Sequence, residues 1–426
     1  MQIEQLYQKY LEHPNVITDS RKIEEGCIFF ALKGASFNGN EFAKEALEKG
    51  AAYSIIDEEK YKSSDKCILV ENVLECLQKL AAHHRNQFDI PVVAVTGSNG
   101  KTTTKEILFQ VLSKKYKTHA TKGNFNNHIG VPLTLLDMPL DTEMALIEMG
   151  DNHVGEVIEL CKYANPNYGF ITNIGKDHIE GFGSFEANVR AKSEIFDFLI
   201  KANGTAFINS QDPILKNMAR RFEKPIFYGD EYDFSNLTFL GASPFIKYKD
   251  RQETVVQTQL LGAYNFENIQ TAFCLGKYFE VENNDIHDAI SNYIPDNNRS
   301  QFLEKGSNAI VLDAYNANPS SVEAALENFA QFETEKTKLV ILGDMFELGD
   351  ISAEEHKRMI DIALEKDLDA IFCGERYTAH KTDKAQFFES RDRLLAYLKN
   401  NKIENSLVLV KGSRSMKLEE VLDYLG

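Results

Sequence analysis

Pro91-Val-Val-Ala-Val-Thr-Gly97-Ser98-Asn99-Gly100-Lys101-Thr102-Thr103 reads as a buried strand, a tight glycine turn and the start of a helix. The apolar run Val92–Val95 is short and uninterrupted, as expected of a strand covered on both faces. Gly97 and Gly100 let the backbone turn and approach an anion with no Cβ in the way. The N–H groups of such a loop, Ser98 and Asn99 included, then face phosphate oxygens at a helix N-terminus. Lys101 can reach the β- and γ-phosphates, and the Thr102 hydroxyl can take a Mg²⁺ position. The pattern T-G-x-x-G-K-T-T is a shorter variant of G-x-x-x-x-G-K-[ST], whose first glycine would fall on Val95. A plain strand–turn–helix junction is the bland alternative, and the Lys101-Thr102 pair argues against it.

Outward from this loop the 426 residues divide into three regions, predicted as α/β domains over 1–85, 86–297 and 298–426. The first mixes strand-like runs (Cys27–Leu32, Tyr53–Ile56, Cys67–Val70) with helices. It ends in a helix with Val73, Leu74, Leu77, Leu80 and Ala81 on one face. The second adds strands at Met144–Ile147, Gly169–Thr172 and Thr205–Ile208, alternating with helices, which predicts a mainly parallel sheet. It closes at the polar, turn-rich stretch Ile294–Arg299. The third alternates strands at Ala309–Leu312, Leu339–Leu342, Ala370–Phe372 and Leu407–Val410 with helices, a Rossmann-like pattern.

Acidic residues outnumber basic ones, 64 to 47, and the net charge of -17 disfavours a nucleic-acid partner in the absence of a basic patch. The six cysteines are scattered, with no C-x-x-C pair, which argues against a zinc site or a disulfide framework and for a reducing compartment. No apolar run is long enough for a membrane span, and the polar N-terminus from Met1 carries no signal-peptide pattern. A cytoplasmic protein is expected.

Other residues suit phosphate chemistry. Glu148 ends a parallel strand beside the loop, where a carboxylate can hold Mg²⁺; a surface glutamate is the alternative. His178 also follows a strand, and its type fits a ligand or a structural hydrogen-bonder equally. Lys192 lies on a helix and by itself reads as a solvated lysine. Asn265 and Asn268 open a helix and could cap it or read an adenine edge.

Taken together these pieces resemble the Mur ligase family, and within it the branch that adds D-alanyl-D-alanine. In the first region the resemblance rests on Thr18-Asp19-Ser20-Arg21, Phe30-Ala-Leu-Lys33-Gly34 and Phe37-Asn38-Gly39. In the second it rests on the loop, Asn124-Phe-Asn-Asn127-His-Ile-Gly130, Glu148-Met-Gly150, the His178 segment, the Lys192 helix and Asn265/Asn268. In the third it rests on Asp313-Ala-Tyr315-Asn316-Ala-Asn318-Pro319, Gly343-Asp-Met-Phe-Glu347-Leu-Gly349 and Lys411-Gly-Ser413-Arg414-Ser415. The Asp-Asn-Pro-Arg signature of the diaminopimelate-adding branch is missing, the nearest string being Asp296-Asn-Asn-Arg299. Folylpolyglutamate synthetases share the loop but lack the first-region module.

The resemblance implies a monomeric ligase acting on small molecules. It would join a UDP-N-acetylmuramoyl-tripeptide to D-alanyl-D-alanine through an acyl phosphate, at the expense of ATP, in peptidoglycan synthesis. It makes Lys101, Glu148, His178 and Lys192 catalytic, with Thr102, Glu148, His178 and Lys192 around Mg²⁺ and Lys192 carried as a carbamate. ATP would meet residues 97–103, Asn268, Arg299, Asp313, Tyr315 and Asn316. Substrates would meet Thr18, Asp19, Ser20, Arg21, Lys33, Gly34, Phe37, Asn38, Asn124, Asn127, Ser413 and Arg414. The third residue of the tripeptide, diaminopimelate or lysine, is not legible. A sister ligase taking another amine is the enzymatic alternative, and a nucleotide-binding scaffold with a degenerate site the non-enzymatic one.

Overall fold

The computed structural model describes residues 2–426, so Met1 lies outside the described residues. Three main sheets follow one another along the chain. The first is four-stranded and parallel, ordered Val16–Ile17, Ile28–Phe30, Tyr53–Ile56, Cys67–Leu69, with a small hairpin of Lys33–Gly34 and Phe37–Asn38 beside it. The second is six-stranded and parallel, ordered Ile226–Tyr228, Thr205–Asn209, Tyr168–Ile171, Val92–Thr96, Met144–Glu148, Thr118–Ala120. The third, also of six strands, runs Gln301–Lys305, Asn308–Asp313, Ser406–Lys411, Thr337–Gly343, Asp369–Cys373, Gln386–Phe388; its first strand is antiparallel and the rest parallel.

The strands expected from sequence are present with ends shifted by one or two residues. Those not expected are short or at sheet edges. The largest omission is a separate three-stranded antiparallel sheet, Thr238–Ala242, Phe245–Lys249 and Val255–Leu261. Its last strand alternates, burying Val256, Thr258 and Leu260 while Val255, Gln257 and Gln259 face out, a period-two signal diluted by the polar Thr and Gln residues.

The first region does not stand apart from the second. The helix Val73–Arg85 buries Val73, Leu77, Leu80 and Ala81 in a core continuous with Val92, Ala94, Leu135 and Ile147. Arg85 donates to the carbonyls of Ala164 (2.9 Å) and Asn165 (3.1 Å), and His84 Nε2 donates to Met138 O at 2.9 Å. These bonds satisfy carbonyls that the helix ends leave open.

The helix after the phosphate loop, Lys101–Leu112, buries Ile107, Leu108, Val111 and Leu112. Full burial of side chains of this size stabilises by roughly 1.5–3 kcal/mol each. Its neighbour, the helix Asn265–Tyr278, approaches closely because Gly276 has no Cβ; one there would sit 2.6 Å from Val111 Cγ1. The loop is thus clamped between a buried strand and a buried helix pair. Among the described residues no helix is long and apolar enough to cross a membrane.

Candidate active site

The strand Val92–Thr96 is fully buried and ends at Gly97, whose φ of +141° and crowding (a Cβ would lie 2.1 Å from Thr172 Oγ1) admit only glycine. Gly100, at φ +80°, caps the helix, and a Cβ there would meet Asn268 Oδ1 at 2.5 Å. Neighbouring strand ends brace the turn between them. Ser98 N donates to Asn173 O (2.9 Å), Asn99 N to Asn173 Oδ1 (3.0 Å), and Thr172 Oγ1 to Asn99 O (2.7 Å). Lys101 folds back over the loop, its ammonium donating to Gly97 O and to Ser98 O. Burial of that ammonium, and then the nearby Lys192 charge, push its pKa below the ordinary lysine value.

Glu148 and Thr102 meet behind the loop. Thr102 Oγ1 donates to Glu148 Oε1 at 3.1 Å, as does Asn126 Nδ2 at 2.8 Å. Glu148 Oε2 is buried without a hydrogen-bond partner, with Lys105 Nζ 3.6 Å away. A buried carboxylate oxygen left open beside a threonine hydroxyl is an oxygen donor set that suits Mg²⁺. Among the described residues no three His, Cys, Asp or Glu side chains converge as a cage; Mg²⁺ is ordinarily held by one or two carboxylates together with phosphates and water.

Lys192 is fully buried rather than solvated. Its Nζ lies 3.1 Å from Asp151 Oδ1 and 3.3 Å from Asp177 Oδ2. Asp177 in turn accepts from Ser98 Oγ (2.5 Å) and Asn188 Nδ2 (2.7 Å), wiring Lys192 to the phosphate loop. Burial works to raise the Asp177 pKa, but the Lys192 and Lys101 charges outweigh it and hold the carboxyl below its ordinary value.

Across a cleft of about 930 Å³ stands the third domain. Asp313 Oδ2 pairs with the buried Lys411 Nζ at 2.6 Å, and Asp313 Oδ1 accepts from Ser300 N at 3.2 Å. Arg299 stacks its guanidinium 3.6 Å from the Tyr315 ring centre, with Nε buried and unpartnered. Asn316 is exposed at the rim. Asn318 caps the helix Pro319–Ala330 and donates to Asn99 Oδ1 at 2.9 Å, while Asn99 Nδ2 donates to Ser320 Oγ at 3.0 Å. The third domain therefore touches the phosphate loop directly. His178 Nδ1 faces Glu347 of the third domain, and Lys176 Nζ pairs with Glu355 at 2.8 Å.

The remaining sequence candidates lie partly in this cleft and partly outside it. Asn268 Oδ1 accepts from Thr104 Oγ1 (2.9 Å) and its Nδ2 donates to Asn265 Oδ1 (2.8 Å), so its amide braces the helix N-terminus while lining the cleft. Ser413 is buried, its Oγ accepting from Phe346 N at 3.0 Å; Arg414 is exposed, 3.3 Å from Glu419. Asn124 and Asn127 line the cleft, and Asn127 Oδ1 accepts from Gly130 N at 2.9 Å. The first-region set Thr18–Arg21, Lys33, Gly34, Phe37 and Asn38 does not line this cleft. Asp19 pairs with Arg21 at 2.8 Å; Lys33 pairs with Asp57 (2.9 Å) and Glu58 (3.0 Å); Asn38 donates to Glu58 at 2.9 Å; Phe37 is exposed.

Sequence reasoning passed over Asp151, Asp177, Asn126, Lys105, Ser320 and Lys411. Asp151 and Asp177 are next to Gly150 and His178, and their position after strand ends was the available signal.

Comparison with known proteins follows the same division. The families described as Mur ligase family, catalytic domain, Mur ligase middle domain, and Mur ligase, glutamate ligase domain match residues 14–85, 95–276 and 298–414. A Bacillus subtilis protein named UDP-N-acetylmuramoyl-tripeptide--D-alanyl-D-alanine ligase is 34% identical, over 98% of this chain and 94% of its own. The crystal structure of MurF from Acinetobacter baumannii superposes with a TM-score of 0.86 at 29% identity, covering 96% of this chain and 93% of that one. MurF ligase from Thermotoga maritima in complex with ADP gives 0.85 at 28% identity, covering 97% of each chain. With its three sheets, its phosphate loop and these full-length likenesses, the chain belongs to the Mur ligase family.

Proposed function

We propose that the chain joins D-alanyl-D-alanine to a UDP-N-acetylmuramoyl-tripeptide with consumption of ATP, yielding the UDP-linked pentapeptide used in peptidoglycan synthesis. The observation that carries this reading is the cleft itself, with a phosphate loop on one wall and the cation-bearing third domain on the other. The names of full-length relatives support the substrates, and ADP in the Thermotoga maritima relative supports the nucleotide.

In this reading a carboxylate oxygen of the tripeptide attacks the γ-phosphorus, and the P–O bond to ADP breaks. The amine of the dipeptide then attacks the acyl carbon, loses a proton, and phosphate departs with the carboxylate oxygen. Both partners of the first step are anionic, so the site must neutralise charge before they meet. Lys101 exchanges its hold on the Gly97 and Ser98 carbonyls for phosphate oxygens. Mg²⁺, held at Thr102 and Glu148, would supply further charge neutralisation around the phosphates. Arg299 brings positive charge from the third domain, beside the Lys411–Asp313 pair, and the Asn318 contact with Asn99 would help exclude water from a hydrolysable intermediate.

His178 and Lys192 complete the metal surroundings in this proposal. As a carbamate, the Lys192 ammonium would first give up one proton, then Nζ would bond to the carbon of CO₂ and release a second, giving up its contacts with Asp151 and Asp177 as a cation. Residues 1–85 would take the uridine nucleotide, 86–297 ATP and 298–426 the dipeptide, in a monomeric cytoplasmic enzyme.

The test is phosphate release from purified protein with Mg-ATP and UDP-muramoyl-tripeptide. Release that requires D-alanyl-D-alanine and yields the pentapeptide by mass supports the reading. Release driven by a single amino acid instead moves the chain to a sister ligase. ATP binding without release for any amine would leave a scaffold.

A further inference from the structure

The segment Gly343-Asp-Met-Phe-Glu347-Leu-Gly349 follows a strand of the third sheet, and every residue from Asp344 to Glu347 is pinned. The Asp344 carboxylate accepts from Arg376 N (3.2 Å) and Tyr377 N (3.1 Å). Met345 N donates to His356 Nε2 (3.0 Å), and Met345 O accepts from Arg376 Nη1 (2.7 Å). Phe346 N donates to the buried Ser413 Oγ at 3.0 Å. Glu347 O accepts from Glu180 N of the central domain at 3.1 Å. Met345 and Leu348 are buried, whereas the Glu347 side chain is 60% exposed.

This scaffold holds Glu347 at φ +63°, in the left-handed region where a side chain costs roughly 1–2 kcal/mol. Its carboxylate then stands against His178, a residue of the cleft wall opposite the third domain. Two other third-domain carboxylates carry a dedicated cation: Asp313 has Lys411, and Glu355 has Lys176 and Arg358, while Asp344 is taken up by the Arg376 and Tyr377 N–H groups. Glu347 has only the imidazole, which is charged only if protonated. A largely exposed carboxylate whose one partner is an imidazole of the cleft wall, held in an unfavourable backbone conformation, suits a cationic group.

We propose that Glu347 recognises the ammonium group of the incoming amine substrate, and that Asp344, His356, Arg376 and Ser413 are positioning residues that hold it there. The inference rests on the ligase reading above. Of the reactants in that reading the dipeptide is a zwitterion whose reacting end is an ammonium, while the nucleotide and the uridine substrate carry net negative charge. A carboxylate at this place selects the amine and repels the other two. It also gives Ser413 a role one step behind the substrate.

The experiment separates the two steps with hydroxylamine, an uncharged nucleophile near neutral pH that traps an activated carboxylate as hydroxamate. Wild-type enzyme with Mg-ATP and UDP-muramoyl-tripeptide should form hydroxamate; if it forms none, the ligase reading fails and Glu347 is not at issue. For Glu347→Gln the KM for D-alanyl-D-alanine should rise about tenfold or more, while hydroxamate formation falls less than about threefold. Glu347→Gly, which suits the positive φ, should fold at least as stably as wild type and give the same split. Equal losses in both assays, or no rise in the dipeptide KM in either variant, would overturn the proposal.

Discussion

The two walls of the cleft do similar work by opposite constructions. The central-domain wall is a contiguous loop, residues 97–103, whose backbone conformation depends on two glycines and whose Ser98 and Asn99 N–H groups are taken up by Asn173 instead of facing the cleft. The third-domain wall comes from distant segments: Asp313, Gly343 and Lys411 end the strands Asn308–Asp313, Thr337–Gly343 and Ser406–Lys411. Those strands are neighbours and parallel, so their carboxyl ends lie side by side although Asp313 and Lys411 are 98 residues apart. The strands Val92–Thr96, Met144–Glu148 and Tyr168–Ile171 do the same on the other side. Ligands of open α/β sheets bind beyond the carboxyl ends of the strands; here two such ends face each other. One wall is specified locally and the other by topology, so they should fail differently.

The largest effect is expected on the local wall. Lys101→Ala should lower kcat by about 10³ with little change in melting temperature, since the ammonium rests only on loop carbonyls. Loss of folding instead would mean that the loop needs Lys101 as a structural clamp. Lys192→Ala should cost about 10² in kcat, and Lys192→Glu should recover part of it, measured by phosphate release. Glutamate between Asp151 and Asp177 is tolerable only if a carboxylate is the working form of this side chain. A glutamate variant as dead as alanine would make the paired ammonium the working form.

Where the walls touch, effects should be smaller and mixed. Asn318→Ala removes a helix cap and the bond to Asn99 together, so stability should drop by about 1 kcal/mol in urea titrations. The KM for ATP should rise severalfold in the same variant, and an unchanged KM would show that the contact does not report on nucleotide binding. The smallest effect comes from protons. Burial depresses the pKa of His84, His119 and His356 below the ordinary value of 6.5. Below that pH the unfolded chain binds protons that these folded imidazoles refuse, so their contribution lowers stability as pH falls through 6.5 and vanishes well above it. Replacing His356 by glutamine, which keeps an acceptor for Met345 N, should flatten this acid limb, and an unaltered limb would assign it to other groups.

The same contrast explains what could be read in the sequence. The loop, the strand before it and the helix after it are adjacent in the chain, and their residue types alone carry the geometry. Glu148 was legible because it ends a buried strand; its open Oε2 was not, because that depends on Lys105 and Asn126 arriving from other segments. Lys192 looked like a solvated helix lysine, since no local pattern reveals Asp151, 41 residues away, and Asp177 closing around it. Ser413 was missed for the same reason: the serine, expected at the substrates, faces inward behind the loop that sets Glu347 against His178.

The central claim is that both walls serve one reaction through an acyl phosphate, and an oxygen label tests it most directly. UDP-muramoyl-tripeptide carrying ¹⁸O in its terminal carboxylate would be turned over with Mg-ATP and D-alanyl-D-alanine, and the released phosphate weighed by mass spectrometry. One labelled oxygen in each phosphate is the predicted result, because the carboxylate oxygen that attacks phosphorus leaves with it. Unlabelled phosphate alongside pentapeptide would contradict the account, since the carboxylate would then have been activated by some other group than the γ-phosphate.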